Sequence, residues 1–322
     1  MRRTVIVGAV IAVCFAASFL AKTALRGPAP SAAPEGPGAA PERIVSLAPS
    51  ITEILHFLGV FDRVVGVTRY CYFPPEARAV AEVGGYYDPN YEAIVALRPD
   101  LVVMLKEHLV AQETLSRFGI DVAVVDNQTI DGILAAIETV GETCGVPPAA
   151  EAIVGDIRAR IRRIRQRTGG LTPPRVLVSI GRIMGSGALE DVYIAGKDGF
   201  YNEMIGMAGG VNAYGGSVAF PLVSGEGIIG MNPEVIIDMV PDLEAQGLDR
   251  ERIQAEWSAV GQVDAVRSGR VHLFEEGYAV VPGPRFISIL EKMARVLHPG
   301  LDWDGPPPAD PASPAGRAAA GD

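Results

Sequence analysis

Four histidines and three cysteines in 322 residues leave little from which to build a metal centre. The histidines, His56, His108, His272 and His298, are scattered along the chain, so a preformed multi-histidine zinc site is not expected. Catalytic signatures are missing too. There is no GxSxG elbow, P-loop, HExxH pair or GxGxxG dinucleotide fingerprint, which argues against an enzyme and against a resident cofactor. Acidic residues outnumber basic ones 38 to 28, and a formal charge of −10 argues against nucleic acid as a partner. After the first twenty-five residues only Cys71 and Cys144 remain, and the sequence leaves open whether they pair or stand as buried thiols.

What is present falls into unequal parts. Residues 1–25 join a basic start, Met1 to Arg3, to an apolar run from Thr4 to Leu20, the shape of an export signal or a membrane anchor, with Cys14 a poor lipidation site. Residues 26–41 are a Pro/Ala/Gly linker, and residues 305–322 have the composition of a disordered tail. Between them the hydrophobic content, 48% for the whole chain, suffices for two lobes, spanning 42–146 and 169–304. The chain is expected to work outside the cytoplasm, either free or tethered through its N-terminal segment, and as a monomer.

Short apolar strands alternate with helices. Strands at Arg43–Leu47, Val64–Thr68, Leu101–Leu105 and Val122–Val125 frame the first lobe, with Ser50 and Glu53 reading as a capping box for the helix Ile51–Leu58. Strands at Arg175–Ile180, Val235–Met239 and Arg270–Phe274 start the pattern again, with helices at Phe200–Met207 and about Pro284–Leu297. The fold class is therefore α/β, with two Rossmann-like parallel-sheet lobes. Residues 147–168 form a single long helix between them, with Ile153, Ile157, Ile161 and Ile164 on one face and six arginines on its solvated side.

A repeat supports the two-lobe reading. Residues 92–103, EAIVALRPDLVV, and residues 226–237, EGIIGMNPEVII, share the pattern Glu-x-Ile-apolar-x-apolar-x-Pro-acidic-apolar-apolar-apolar. Ligands of open parallel sheets bind beyond the carboxyl ends of the strands, so two such lobes offer a cleft between them. Aromatic residues gather at those ends: Tyr70, Tyr72, Tyr86, Tyr87, Tyr193, Phe220 and Tyr278. Arg69, Lys106 and Arg182 lie nearby and suit carboxylate, phosphate or amide oxygens on a ligand. His108 lies just past a strand end, as either an axial metal ligand or a solvated loop residue, whereas His56 reads as packed core. Glu92 and Glu226 occupy equivalent first-turn positions in the repeat and present matched carboxylates for a two-fold basic partner.

The segments RIVSLAPSITEILHFLG, VVGVTRYCYFPPEA, NYEAIVALRPDLVV, PLVSGEGIIGMNPEVII, SGRVHLF and PGPRF together resemble the class III, helical-backbone substrate-binding proteins of ABC importers, and most closely the cobalamin-binding branch. The resemblance covers about Glu42 to His298. It implies two lobes on one backbone helix, a ligand cleft between them and delivery to a permease dimer with its ATPase. By resemblance Tyr70 matches a cobalamin-contacting tyrosine, and Tyr86 and Phe220 stand where cleft tryptophans do. Tyr278 replaces a tryptophan in the ligand loop Gly277–Val281, and Glu92 and Glu226 match the permease-docking glutamates. Leu105 stands at another tryptophan position, the ligand loop is more apolar, and Cys71 has no counterpart and would be a metal-facing thiolate at most. A corrinoid is the leading ligand, with ferric siderophore or haem as alternatives. An enzyme acting on a carbohydrate or cofactor and a sensor docking on a signalling partner are the competing classes.

Overall fold

The computed structural model describes residues 40–197 and 199–305; the signal or anchor segment, nearly all of the linker and the tail lie outside the described residues. The first lobe is a parallel sheet in the order β3-β2-β1-β4-β5, built from Ile44–Ser46 (β1), Val64–Val67 (β2), Ala81–Glu82 (β3), Leu101–Leu105 (β4) and Asp121–Val125 (β5). Its helices are Pro49–Phe57 (α1), Tyr91–Ala96 (α2), Leu109–Ser116 (α3) and Ile130–Thr143 (α4). Alternation along the strands fills two faces at once. Ile44, Leu101, Val103, Leu105 and Val125 enter the central core, while Val45, Val102 and Met104 pack on the other side with Ile94 and Leu115.

Pro147–Thr168 (α5) is the long helix, and its 22 residues span about 33 Å at 1.5 Å each. Pro at its start and Gly169 at its end set its limits. Ile157, Ile161 and Ile164 are buried in a core that takes in residues of both lobes, among them Ile137 and Val140 of α4 and Leu290 and Met293 of the last helix. The arginines are not all solvated. Arg158 reaches Glu138 on α4 at 3.5 Å, Arg160 makes a two-bonded pair with Glu291 at 2.6 and 2.8 Å, and Arg167 is buried against the Gly305 carbonyl. Arg160 thus ties the helix to the second lobe, while the exposed Arg158 only approaches the first.

The second lobe departs from a purely parallel sheet. Its strands are Arg175–Arg182 (β6), Val192–Ile194 (β7), Val211–Asn212 (β8), Leu222–Val223 (β9), Val235–Met239 (β10) and Val271–Phe274 (β11), in the order β11-β10-β6-β7-β9, with β8 beside the start of β6. β10 and β11 run parallel to β6, but β7 is antiparallel to both β6 and β9. Strands of two or three residues carry too short a pattern to be seen by periodicity. Helices Phe200–Met207 (α6), Gly225–Met231 (α7), Arg250–Glu256 (α8), Asp264–Arg267 (α9) and Phe286–Leu297 (α10) complete the lobe.

The repeat is a structural repeat. Asn90 caps α2 by accepting from the Ala93 N–H, and Ser224 caps α7 by accepting from the Gly227 N–H. Both helices end at a left-handed residue before a proline, Arg98 at φ 49° and Asn232 at φ 42°. Arg43 and Arg175, each at the start of its lobe's first strand, then donate to the terminal carbonyls of Leu97 and Met231 respectively. Asp100 and Glu234 answer from the other side, accepting from the backbone N–H groups of Arg43 and Arg175.

One local expectation changes, and one open alternative is resolved. α1 has no capping box, because Ala48 is the cap residue with Pro49 after it, and Glu53 turns away to another partner. Cys71 and Cys144 are separate free thiols, both buried.

Candidate functional site

The loops beyond β2, β3, β4 and β5 bring the first lobe's candidate residues to one end of its sheet. Tyr70 follows β2 and is 47% exposed, enough to offer a ring face. Tyr86 is half-buried, edge-on to Tyr87 at 4.6 Å and to His108 at 4.9 Å between ring centroids. Burial, with Glu107 and Tyr87 adding to it, pushes the Tyr86 phenol up to about 12, so it serves as a neutral hydroxyl. His108 is neither solvated nor placed as a surface ligand: it is buried, with Nε2 2.6 Å from the Tyr86 carbonyl oxygen and Nδ1 enclosed without a partner among the described residues. Leu105 and Cys71 belong to the core rather than the cleft, and Thr52 and Thr68 hydroxyls surround the Cys71 sulfur at 3.1 and 3.2 Å. Burial pushes that thiol up, which disfavours a metal-facing thiolate.

Each of the three candidate cations meets a carboxylate of the protein. Arg69 lies 3.3 Å from Asp88 and 3.5 Å from Glu82. Lys106 contacts Asp126 at 2.5 Å, and this hydrogen bond is the main reason the Asp126 carboxyl lies below its ordinary value. Arg182 is a correction to the sequence reading, since its side chain is 1% exposed and does not face a ligand. It bonds Asp238 at 2.9 Å, Glu256 at 2.5 Å and the Ile253 carbonyl at 3.1 Å, and lies 5.4 Å from the Trp257 ring centroid. Burial opposes ionisation of Glu256, but the Arg182 and Gly187 hydrogen bonds outweigh it and hold the carboxyl below its ordinary value.

On the second lobe, a cavity of about 690 Å³ opens at the carboxyl end of β6. Gly181, Ile183, Tyr193 and Leu222 form an apolar floor, Glu190 and Asp191 also line the cavity, and Arg182 reaches the lining without exposing its guanidinium, since its side chain is 1% exposed. Ile183, Tyr193, Leu222 and the neighbouring Phe220 are all exposed large hydrophobic residues, 49% to 60% accessible, gathered on one lobe. Register explains the floor: Tyr193 pairs with Gly181 and with Leu222, so these positions share a sheet face. The sequence reading named Tyr193 and Phe220 but missed Ile183 and Leu222, because the strand that aligns them was not foreseen.

Tyr278 sits on the single turn Gly277–Val280 after β11. Tyr201 donates to the Ala279 carbonyl at 3.1 Å and Lys292 holds Glu276 at 2.6 Å, so both ends of the turn are tied. The face of Tyr278 lies 4.4 Å from the guanidinium carbon of Arg285. Sequence reasoning missed Arg285, which forms an ion pair with Glu53 from the first lobe. A second polar tie between lobes is the Ile130 N–H donating to Glu203 at 2.7 Å.

Glu92 and Glu226 lie in the first turns of α2 and α7, both exposed, and neither makes an ion pair among the described residues. No cluster of three or more metal-ligating side chains occurs among the described residues.

Known proteins share this architecture. A family model for "Periplasmic binding protein" matches residues 44–276. An uncharacterized ABC transporter substrate-binding lipoprotein of Bacillus subtilis, YvrC, is 29% identical over 264 residues, 80% of this chain and 81% of its own length. A cobalamin-binding protein of Halobacterium salinarum is 30% identical over 273 residues, covering 80% of this chain and 70% of that one. Among solved structures, the periplasmic heme-binding protein RhuT from Roseiflexus sp. RS-1, in apo form, superposes with a TM-score of 0.67 at 27% identity, over 80% of this chain and 98% of its own.

Proposed function

The chain belongs to the periplasmic binding protein family, and on that premise we propose that it captures a corrinoid-type metal chelate outside the cytoplasm and hands it to a membrane permease. As a substrate-binding protein of an ABC importer it is a non-enzymatic transport component, so its chemistry is recognition and release. The reading places Tyr70, Tyr86, Phe220 and Tyr278 against the ligand, with Arg69 and Lys106 at the rim.

One observation carries the choice of ligand. Arg69 and Lys106 are each matched by a carboxylate of their own lobe, Arg182 is sealed in the interior, and the open cavity on the other lobe carries Glu190 and Asp191 over an apolar floor. Such a surface repels the propionates of haem and the charges of an anionic ferric chelate. It suits a large ligand with an apolar body and a rim of neutral amides, which is the chemistry of a corrinoid. Haem is the alternative, supported by the likeness to a heme-binding relative.

Titration of the purified protein with cyanocobalamin, hemin and ferric siderophores, followed by intrinsic emission, tests the reading. Saturable binding of cyanocobalamin is expected, weakened about tenfold by Tyr70→Ala or Phe220→Ala, the scale of one lost aromatic contact. Saturation by hemin alone would transfer the assignment to haem, and no saturation by any of these ligands would refute a chelate receptor.

A further inference from the structure

Among the described residues, one ion pair joins the lobes directly. Glu53 on α1 accepts from both Nε and Nη2 of Arg285, at 3.0 and 2.5 Å, and Arg285 immediately precedes α10 on the other lobe. Two parallel bonds from one edge of a planar guanidinium tolerate little rotation. The same plane is held between rings. Its carbon lies 3.9 Å from the Phe73 centroid on the first lobe and 4.4 Å from that of Tyr278 on the second. Phe73 in turn meets His56 edge-on at 5.0 Å and stacks with the exposed Phe57 at 6.1 Å. The backbone also closes on this point, since a Cβ added at Gly283 would stand 3.0 Å from Glu53 Oε2 and 3.4 Å from the Ser50 Cα.

We infer that Glu53 and Arg285 are positioning residues, a cross-lobe clamp that sets the aperture of the cleft and the pose of the Tyr278 ring. The role given to Tyr278 rests on the ligand reading above; the setting of the aperture does not.

Cohesion alone is a poor reason for this pair. Glu53 is 2% exposed, and burial pushes its carboxyl above the ordinary value even though the Arg285 hydrogen bonds work the other way. An apolar contact of similar volume would hold two surfaces together at lower desolvation cost. The shared core along α5 already supplies apolar cohesion between the lobes. A forked ion pair between two rings adds direction, fixing twist and separation together.

The test measures interlobe distance. Spin labels are placed at Ser116→Cys and Ser258→Cys, exposed positions one on each lobe, in the full chain carrying Cys14→Ser. Cys71 and Cys144 are buried and stay unlabelled in the native fold. Pulsed electron–electron resonance is then compared for the wild-type clamp, for E53Q/R285M, which removes both charges so that neither is left unpaired, and for R285K, which keeps the charge but loses the fork and the planar stack. A narrow distance distribution is expected for the wild-type clamp and a broad one for both variants, at melting temperatures that show all three folded. With cyanocobalamin as the probe, E53Q/R285M should bind about tenfold more weakly, the scale of one misplaced aromatic contact. An unchanged distribution in folded E53Q/R285M and R285K would overturn the clamp. Should the wild type fail to bind cyanocobalamin while the variants still broaden, the ligand reading falls and the control of aperture stands.

Discussion

Arg182 balances two carboxylates in the interior, and that makes it a residue whose loss is felt in folding rather than in binding. Arg182→Met would leave Asp238 and Glu256 facing each other without their cation, at a cost of about 3–5 kcal/mol. The expected outcome is a much lower urea midpoint, while the folded fraction binds ligand as the wild type does; unchanged stability would refute the assignment. Alternation would have placed this side chain with Val176, Val178 and Ile180, on the face that packs against the central core. A register shift between Ser179 and Gly181 turns it instead toward Trp257. The sequence reading ended this strand at Ile180 and so took Arg182 for a strand-end ligand contact, whereas β6 continues through Arg182 and the bulge turns the side chain inward. His298 gives a second prediction at this scale. Burial pushes its imidazole below the ordinary value, although its contact with the Gly209 carbonyl opposes the shift. The folded chain therefore binds fewer protons near pH 6 than the unfolded one. The contribution to stability is full above the unfolded value of about 6.5 and declines as pH falls through it toward the folded value. Urea midpoints should drop from pH 7.5 to pH 5.5, and less steeply in His298→Gln.

At the scale of elements, α2 and α7 are too short to be stable alone and depend on their anchors. Each has a side-chain cap at the start, a left-handed residue before proline at the end and an arginine of the lobe's first strand on its last carbonyls. Glu92 and Glu226 are thereby presented on matched platforms. Charge reversal of both, E92R/E226R, is expected to abolish binding to the permease complex while ligand affinity stays near wild type; a loss of ligand affinity would place them in the cleft instead. The platforms were legible as a sequence repeat because their apolar and proline positions recur. The arginine anchors were not, since Arg43 and Arg175 act on carbonyls more than fifty positions away, and no local pattern marks such a partner. Glu53 was misread for a related reason: its spacing from Ser50 mimics a capping box, and the residue that claims it, Arg285, is 232 positions distant.

Across the whole molecule, the two lobes, the connecting helix and the parallel cores could be read from periodicity, because burial on both faces imposes long apolar strands. The mixed edge formed by β7 and β9 could not, and it supplies part of the floor of the second-lobe cavity. That cavity is lined by residues of the second lobe alone. On the proposed reading the ligand meets this open second-lobe surface first and Tyr70 and Tyr86 of the first lobe engage it afterwards, so the encounter needs no prior closure. In stopped-flow mixing the observed association rate should therefore rise linearly with ligand concentration, whereas a plateau would reveal a closing step that gates entry. The receptor would then differ from its importer in where time is spent: capture is immediate at any moment, and the wait falls on release.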